Sequence, residues 1–331
     1  MAMKIVLWML VILVSLHSIS SHGSARYLKE IVLGRCWDFQ RQKTSEVTPK
    51  NCSKLWETFH NAFAFKDPCA TNFSDYEPFF DEVGMDIVKR DKSLFWSGTY
   101  KEAHEYSDFN SRLTTLEDTM AGWMMNGLTW CGSKNKSSDG INYDSCPNCS
   151  HFKAFWGLAS RRFAEKASGI SHVLVNGSRL INGTPAAYSR TNFFGSMELP
   201  NLNKSQVIEL KILVVHNIGG PILEVCGNGS IKEMEEDANK RGIKTTCLDD
   251  PAQIQHLLCA DFPESRVCRF LRSATRSVTK AVSCGSWKLV AILMISITGA
   301  VLLVALIGVI YVSSKKKKNP FSFKYRQHIQ E

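Results

Sequence analysis

Val207-Ile208-Glu209-Leu210-Lys211-Ile212-Leu213-Val214-Val215 is a β-branched, apolar run that reads as a strand, and its flanks decide what kind of sheet it joins. Upstream, His172 to Val175 has the same texture and Gly195 to Leu199 reads as a further short strand. Downstream, Ser230 to Arg241 reads as a helix, Thr245 to Leu248 as extended and Ala252 to Ala260 as helix again. Strand, helix, strand in that order predicts a parallel sheet with crossover helices. Before about Ile170 the pattern is mainly helical, as in Cys52-Ser53-Lys54-Leu55-Trp56-Glu57-Thr58-Phe59, where apolar positions recur three and four apart. Thr114-Thr115-Leu116-Glu117 matches a capping box, with Glu117 at its acidic position and Met120, Met124 and Leu128 on the apolar face of the helix it opens. The expected fold is α/β: a mainly helical N-terminal subdomain over 26–170 and an α/β C-terminal subdomain over 171–284, its short parallel sheet flanked by helices, with a cleft where the two meet.

The ends of the chain read as targeting and anchoring segments. Met1-Ala2-Met3-Lys4, the apolar run Ile5 to Leu16 and the small residues Ser18 to Ala25 have the three regions of a secretory signal peptide over 1–25. Leu289 to Val312 carries no charge and gives about 36 Å of helix at 1.5 Å per residue, enough to span a bilayer, so 288–312 is expected to be a transmembrane helix. Lys315 to Lys318 follow it at once and begin a basic tail over 313–331, which places the C-terminus in the cytoplasm. The expectation is a single-pass type I membrane protein whose ectodomain faces the exterior or a vesicle or ER lumen. Of the formal charge of +9, the tail carries six Lys/Arg against one Glu, and Lys4 and Lys288 add two more positive charges, leaving the ectodomain at about +2, so nucleic-acid binding is disfavoured. All eleven cysteines lie between Cys36 and Cys284, in the lumenal part, and read as disulfides with one thiol left over. Cys146-Pro147-Asn148-Cys149 has redox or zinc spacing, but a second such pair is missing and no metal is expected. Sequons at Asn72, Asn135, Asn176, Asn182, Asn203 and Asn228 fit a glycosylated surface, whereas those at Asn51 and Asn148 enclose cysteines.

Common catalytic signatures do not carry the function. There is no Walker A motif, HExxH or GxSxG, and Gly227-Asn228-Gly229 lacks the third glycine of a dinucleotide fingerprint. Asn192-Phe193-Phe194-Gly195-Ser196-Met197-Glu198-Leu199 puts one carboxylate after two aromatic rings and a glycine, which on its own reads as an edge strand with Glu198 in water. Taken together with Phe95-Trp96-Ser97, Thr115-Leu116-Glu117-Asp118-Thr119, Leu128-Thr129-Trp130-Cys131-Gly132, Asn142-Tyr143-Asp144-Ser145-Cys146-Pro147, Phe155-Trp156 and Ser160-Arg161-Arg162-Phe163-Ala164-Glu165, the order and spacing resemble the ADP-ribosyl cyclase and NAD glycohydrolase family from about Arg35 to Cys268.

The resemblance implies a helical N-terminal and a parallel-sheet C-terminal subdomain with the active site between them. It implies the bridges Cys36–Cys52, Cys69–Cys149, Cys131–Cys146, Cys226–Cys247 and Cys259–Cys268, and leaves Cys284 as the odd thiol, able to link two chains as a homodimer. A sixth bridge of some members falls near Arg90 and at Ser168 here. By the same resemblance Glu198 is the catalytic carboxylate. Trp96 and Trp156 are aromatic walls for the pyridinium and Glu117 receives the nicotinamide amide. Ser97, Ser160 and the backbone around Phe194 contact ribose and diphosphate. NAD, and NADP, would be substrate rather than cofactor, cleaved to cyclic ADP-ribose and ADP-ribose, with nicotinic acid able to replace nicotinamide by base exchange to give NAADP. Asn126 and Gly127 stand where some members carry two acidic residues, Gly98 where some carry an Arg near the diphosphate, and Phe193 where strongly hydrolytic members carry a smaller residue. The rival reading is a catalytically silent receptor or adhesion ectodomain on the same fold.

Overall fold

The computed structural model describes residues 23–271 apart from 110–112, 135–137 and 150. The predicted signal peptide, apart from its last few residues, together with the span from Leu289 to Val312, the tail and Cys284, lies outside the described residues. Among those described, no helix is long and apolar enough to cross a membrane.

Residues up to Pro263 form one compact unit. Its N-terminal half contains α1 (Leu28–Gln42), α2 (Cys52–Phe63), α3 (Phe73–Val83), β1 (Leu94–Ser97), α4 (Tyr100–Phe109), α5 (Met120–Met125) and α6 (His151–Lys166). Beyond it come β2 (Gly169–Asn176), a two-stranded hairpin of β3 (Leu180–Ile181) and β4 (Thr184–Pro185), then β5 (Val207–Val215), α7 (Gly229–Lys240), β6 (Lys244–Asp249) and α8 (Ala252–Asp261). The four long strands form one parallel sheet in the order β1-β2-β5-β6. The parallel sheet expected from the C-terminal half is therefore present, and it takes its edge strand from the otherwise helical N-terminal half.

Alternation along the strands explains the continuous apolar run at Ile212 to Val215. Ile212 and Val214 face the main core with Phe95, Val173 and Val175, whereas Leu213 and Val215 face a second cluster with Leu94, Leu174, Tyr106, Ile254 and Leu258. Both faces of the sheet are covered, by α6 and α7 on one side and α4 and α8 on the other, as parallel sheets require. Two sequence expectations fail locally. Gly195 to Leu199 is not a strand: Phe194–Glu198 is a five-residue π-helical turn and Leu199–Asn201 a 3₁₀ turn. Asn192 Oδ1 accepts from the Gly195 N–H at 2.7 Å, which turns the chain before a strand begins, and Pro200 lacks the N–H a ladder needs. The capping box is also shifted. Thr119 caps α5 by accepting from the Gly122 N–H, and Asp118, not Glu117, accepts from the Thr115 N–H. The shift frees Glu117 from a capping role.

The helical layer is fastened by aromatic contacts and covalent bridges. Phe59 of α2, Tyr76 and Phe79 of α3, and Trp130 all meet Phe155 of α6, with ring centroids between 5.1 and 6.0 Å. Bridges Cys36–Cys52, Cys69–Cys149, Cys131–Cys146 and Cys226–Cys247 are present, and Cys259 and Cys268 are also disulfide-bonded. Cys146 and Cys149 thus go to different partners, which accounts for the metal-like spacing without a metal. At the site of the missing sixth bridge the chain segments still meet: the Asp91 N–H donates to Ser168 O at 2.9 Å and Asp91 Oδ1 accepts from the Ile170 N–H at 2.6 Å.

Within the aromatic cluster the buried Trp130 Nε1 donates to Tyr76 Oη at 2.9 Å. Tyr76→Phe leaves that N–H buried without an acceptor, a cost of about 1–3 kcal/mol. Calorimetry with the disulfides intact is expected to show a lower Tm, by roughly 2–9 °C, with activity retained below the transition.

Candidate active site

The carboxyl ends of parallel strands are where ligands bind in open α/β sheets. At the end of β1 the protein encloses a cavity of about 400 Å³. Its wall includes every residue singled out from the sequence: Trp96, Ser97, Glu117, Asn126, Trp156, Ser160, Phe193, Phe194 and Glu198.

Glu198 is placed by the π-helical turn. The Leu199 N–H donates to Phe194 O, five residues back, and the turn is tethered where the Ser196 hydroxyl donates to Asn192 O at 2.6 Å. Gly195 is required there, because a Cβ would lie 2.1 Å from the Ser189 carbonyl oxygen. Phe194 anchors the turn by packing on Phe95 at 5.8 Å and Tyr188 at 6.2 Å between ring centroids. The result corrects the edge-strand reading: Glu198 is only 6% exposed. Burial pushes its carboxyl up to about 8, a hydrogen bond with Ser160 partly opposes that shift, and the neighbouring charge of Glu117 adds to it.

The second carboxylate is held by the tryptophan. Trp96 Nε1 donates to Glu117 Oε2 at 3.2 Å, and His104 Nε2 stands 3.7 Å from the same oxygen. Tyr100 stacks edge-on against Trp96 and His104, at 5.4 and 4.3 Å, and accepts from Asn126 Nδ2 at 3.1 Å. Arg35 donates to the backbone oxygens of Met124 and Asn126, which fixes the turn carrying Asn126. Ser97 Oγ accepts from Asn192 Nδ2 at 2.8 Å and from Arg179 Nη1 at 3.0 Å.

Asn192, Arg179, Tyr100 and Phe152 line the cavity and were not assigned to it from sequence. Asn192 carried a signal, since an Asn side chain readily accepts from backbone N–H groups just after it and so turns the chain, as it does here from Gly195. Arg179 sits three residues after the carboxyl end of β2, where the strand-end rule would direct attention, yet in sequence it reads only as the neighbour of a sequon. Among the described residues no cluster of His, Cys, Asp and Glu is arranged to hold a metal ion.

A family model for ADP-ribosyl cyclase matches residues 25–268. The chain belongs to that family. The ADP-ribosyl cyclase/cyclic ADP-ribose hydrolase of Aplysia californica is 37% identical over 258 residues, which cover 75% of this chain and 88% of that protein. The ADP-ribosyl cyclase/cyclic ADP-ribose hydrolase 2 of Homo sapiens is 35% identical over 266 residues, 79% of this chain and 81% of the relative. Among solved structures, Aplysia cyclase complexed with the substrate NGD and the product cGDPR is similar with a TM-score of 0.67 at 36% identity, covering 74% of this chain and 98% of that one. Porcine CD38 with a covalent intermediate gives 0.64 at 35% identity, covering 70% and 98%. These relatives are enzymes, which favours a catalytic reading of the cavity over a silent ectodomain on the cyclase fold.

In this cyclase-family chain the Glu198 shift has a consequence for stability. The folded protein keeps the Glu198 proton up to about pH 8, whereas the ordinary value is 4.5. Its contribution to stability is therefore complete below the ordinary value and is lost as pH rises through about 8. The neutral isostere Glu198→Gln is expected to match wild type near pH 4 and to melt several degrees higher near pH 9, in paired thermal scans. An equal Tm difference at both ends would place the carboxyl in water.

Proposed function

We propose that this chain cleaves the nicotinamide–ribose bond of NAD, and of NADP, releasing nicotinamide and giving both ADP-ribose and cyclic ADP-ribose. The observation that carries this reading is the buried Glu198 in a cavity walled by Trp96 and Trp156, with Glu117 beside it. Nicotinamide departs as a neutral molecule from a cationic pyridinium, taking the electron pair of the C1′–N bond, so no general acid is needed. Catalysis requires instead a fixed negative charge at C1′ as the ribosyl cation develops. Glu198 supplies that charge, as stabiliser or as nucleophile. Trp96 and Trp156 hold the flat cation by stacking and cation–π attraction of about 0.5–2 kcal/mol. Glu117, aimed by the Trp96 indole, receives the carboxamide. Ser160 hydrogen-bonds the Glu198 carboxylate, Ser97 and the backbone around Phe194 contact the ribose and diphosphate, and Asn126 lines the cavity beside Tyr100. With NADP as substrate, nicotinic acid entering in place of the departed nicotinamide and bonding to C1′ gives NAADP by base exchange.

Before substrate binds, burial keeps Glu198 mainly protonated at pH 7. A cationic ligand beside it favours the carboxylate, so binding expels a proton. Accordingly kcat/KM should rise with pH through a midpoint near pH 8 and level off above about pH 9, while kcat stays level to lower pH, since the two report the free and the loaded enzyme. Glu198→Gln should retain binding and lose more than a hundredfold in turnover. Nicotinamide release by the purified ectodomain, resolved by chromatography, tests the whole reading; no release from pH 5 to 9 would return the chain to the silent-ectodomain class.

Product choice is set by what reaches C1′ after nicotinamide leaves: water, or N1 of the substrate's own adenine. Phe193 offers an aromatic face to the folded conformer, and Glu117 holds a competing water or adenine pose. Phe193→Thr should shift product towards ADP-ribose, and Glu117→Ala or Glu117→Phe towards cyclic ADP-ribose. A change of about 1.4 kcal/mol between the two exits is tenfold in ratio, which early-time chromatography reads directly.

The setting proposed for this activity is the ectodomain of a single-pass type I membrane protein, exterior or lumenal, anchored by Leu289 to Val312 and able to dimerise through Cys284. Asn72, Asn182, Asn203 and Asn228 are exposed and suit glycosylation. Asn176 suits it less, because its Nδ2 donates to Asn217 Oδ1 and its Oδ1 accepts from the Ser178 N–H.

A further inference from the structure

The cavity is electrically lopsided. Glu117 and Glu198 are near enough for the charge of one to oppose that of the other, and Arg179 is the cation among its lining residues. A guanidinium at a protein surface usually finds a carboxylate, but among the described residues none lies within ion-pairing distance of Arg179. It is held instead by an uncharged partner, donating to Ser97 Oγ at 3.0 Å. That oxygen also accepts from Asn192 Nδ2 at 2.8 Å, so both Ser97 lone pairs are occupied and its O–H is left to donate towards a ligand. Gly98 makes this arrangement possible. With φ +72° it lies flat beneath the arginine stem, and a Cβ there would stand 2.8 Å from Arg179 Cδ and 3.1 Å from Nη1.

We propose that Arg179, reaching from the carboxyl end of β2 over Gly98, together with the Ser97 hydroxyl, binds the diphosphate of the substrate in this chain. An unpaired guanidinium and a directed hydroxyl suit a dianionic diphosphate, since the guanidinium fork matches phosphate oxygens and the charge has not been spent within the protein. The proposal rests on the NAD-cleaving reading and adds the residue that selects a dinucleotide over a bare nicotinamide riboside. The opposite polarity of the two ends sets the orientation: the pyridinium goes to the two carboxylates and the diphosphate to Arg179.

Arg179→Met keeps the stem and removes the charge, and Arg179→Lys keeps the charge and removes the fork. For NAD, Arg179→Met should raise KM at least about tenfold with kcat within about threefold, and Arg179→Lys should fall between it and wild type. For nicotinamide riboside, which has no phosphate, kcat/KM should stay within about twofold of wild type in both variants. Raising ionic strength should weaken NAD binding in wild type more than in Arg179→Met. Gly98→Ala, which displaces the arginine stem, should reproduce the KM increase for NAD. Equal losses for NAD and the riboside would show that Arg179 only supports the fold through Ser97. An unchanged KM for NAD would show that it does not meet the diphosphate. Calorimetric binding of ADP-ribose, set against adenosine, reads the same contact without turnover. A wild type that binds ADP-ribose through Arg179 but releases no nicotinamide would overturn the proposed reaction and leave this assignment standing, whereas a wild type that binds no ADP-ribose would overturn the assignment.

Discussion

Removing one carboxyl group from water is the constraint around which this protein is arranged. A buried, isolated carboxylate is costly, and the folded chain meets that cost by holding the Glu198 proton up to about pH 8 and by placing the Ser160 hydroxyl as a hydrogen-bond partner. The neighbouring Glu117 makes ionisation harder still, so the cavity is poised to accept positive charge. Its affinity for a cation is a stored consequence of burial, present before any ligand arrives.

Holding Glu198 there depends on a backbone conformation that is rare in proteins. The five-residue π-helical turn exists because Asn192 engages both its own turn and the neighbouring strand, accepting from the Gly195 N–H and donating to Ser97 Oγ. The same asparagine thus ties the turn that carries Glu198 to the edge of the sheet. Gly195 allows the turn to lie against the Ser189 carbonyl, and Phe194 fixes its depth against Phe95 of β1. The sheet edge, α6 and the aromatic core all pack against this turn and hold it in place.

Electrostatic asymmetry then gives the cavity a direction. Two carboxylates near each other, and an arginine that has no acidic partner among the described residues, line one cavity and suit a ligand that carries both positive and negative charge. The Trp96 indole lines the cavity and gives its N–H to Glu117, so the same side chain shapes the wall and fixes the carboxylate. The cysteine bridges support this indirectly, by locking the helical layer against which the sheet edge and its loops are set.

Sequence by itself determined what depends on periodicity and on residue type in order. The β-branched runs at His172 to Val175 and Val207 to Val215, the helix after Gly229 and the closing strand and helix were legible because strand and helix repeats are local, and the parallel sheet followed from their succession. The spaced motifs identified the family, and with it the residues that now line one cavity. What the tertiary structure decided is where partners come from different parts of the chain. Whether Glu198 sits in a strand or a turn, in water or in the core, is settled by Asn192, Phe95 and Ser160, none of which alternation along 195–199 can express. Glu117 looked like a helix cap until Asp118 took that place and the Trp96 indole, 21 residues earlier, claimed the carboxylate. Arg179 gained meaning only when Gly98 and Ser97, from another strand, came beneath it. Repeat patterns fix elements because they act within a few residues of the backbone, whereas burial and charge pairing are set by neighbours that only the folded chain brings together.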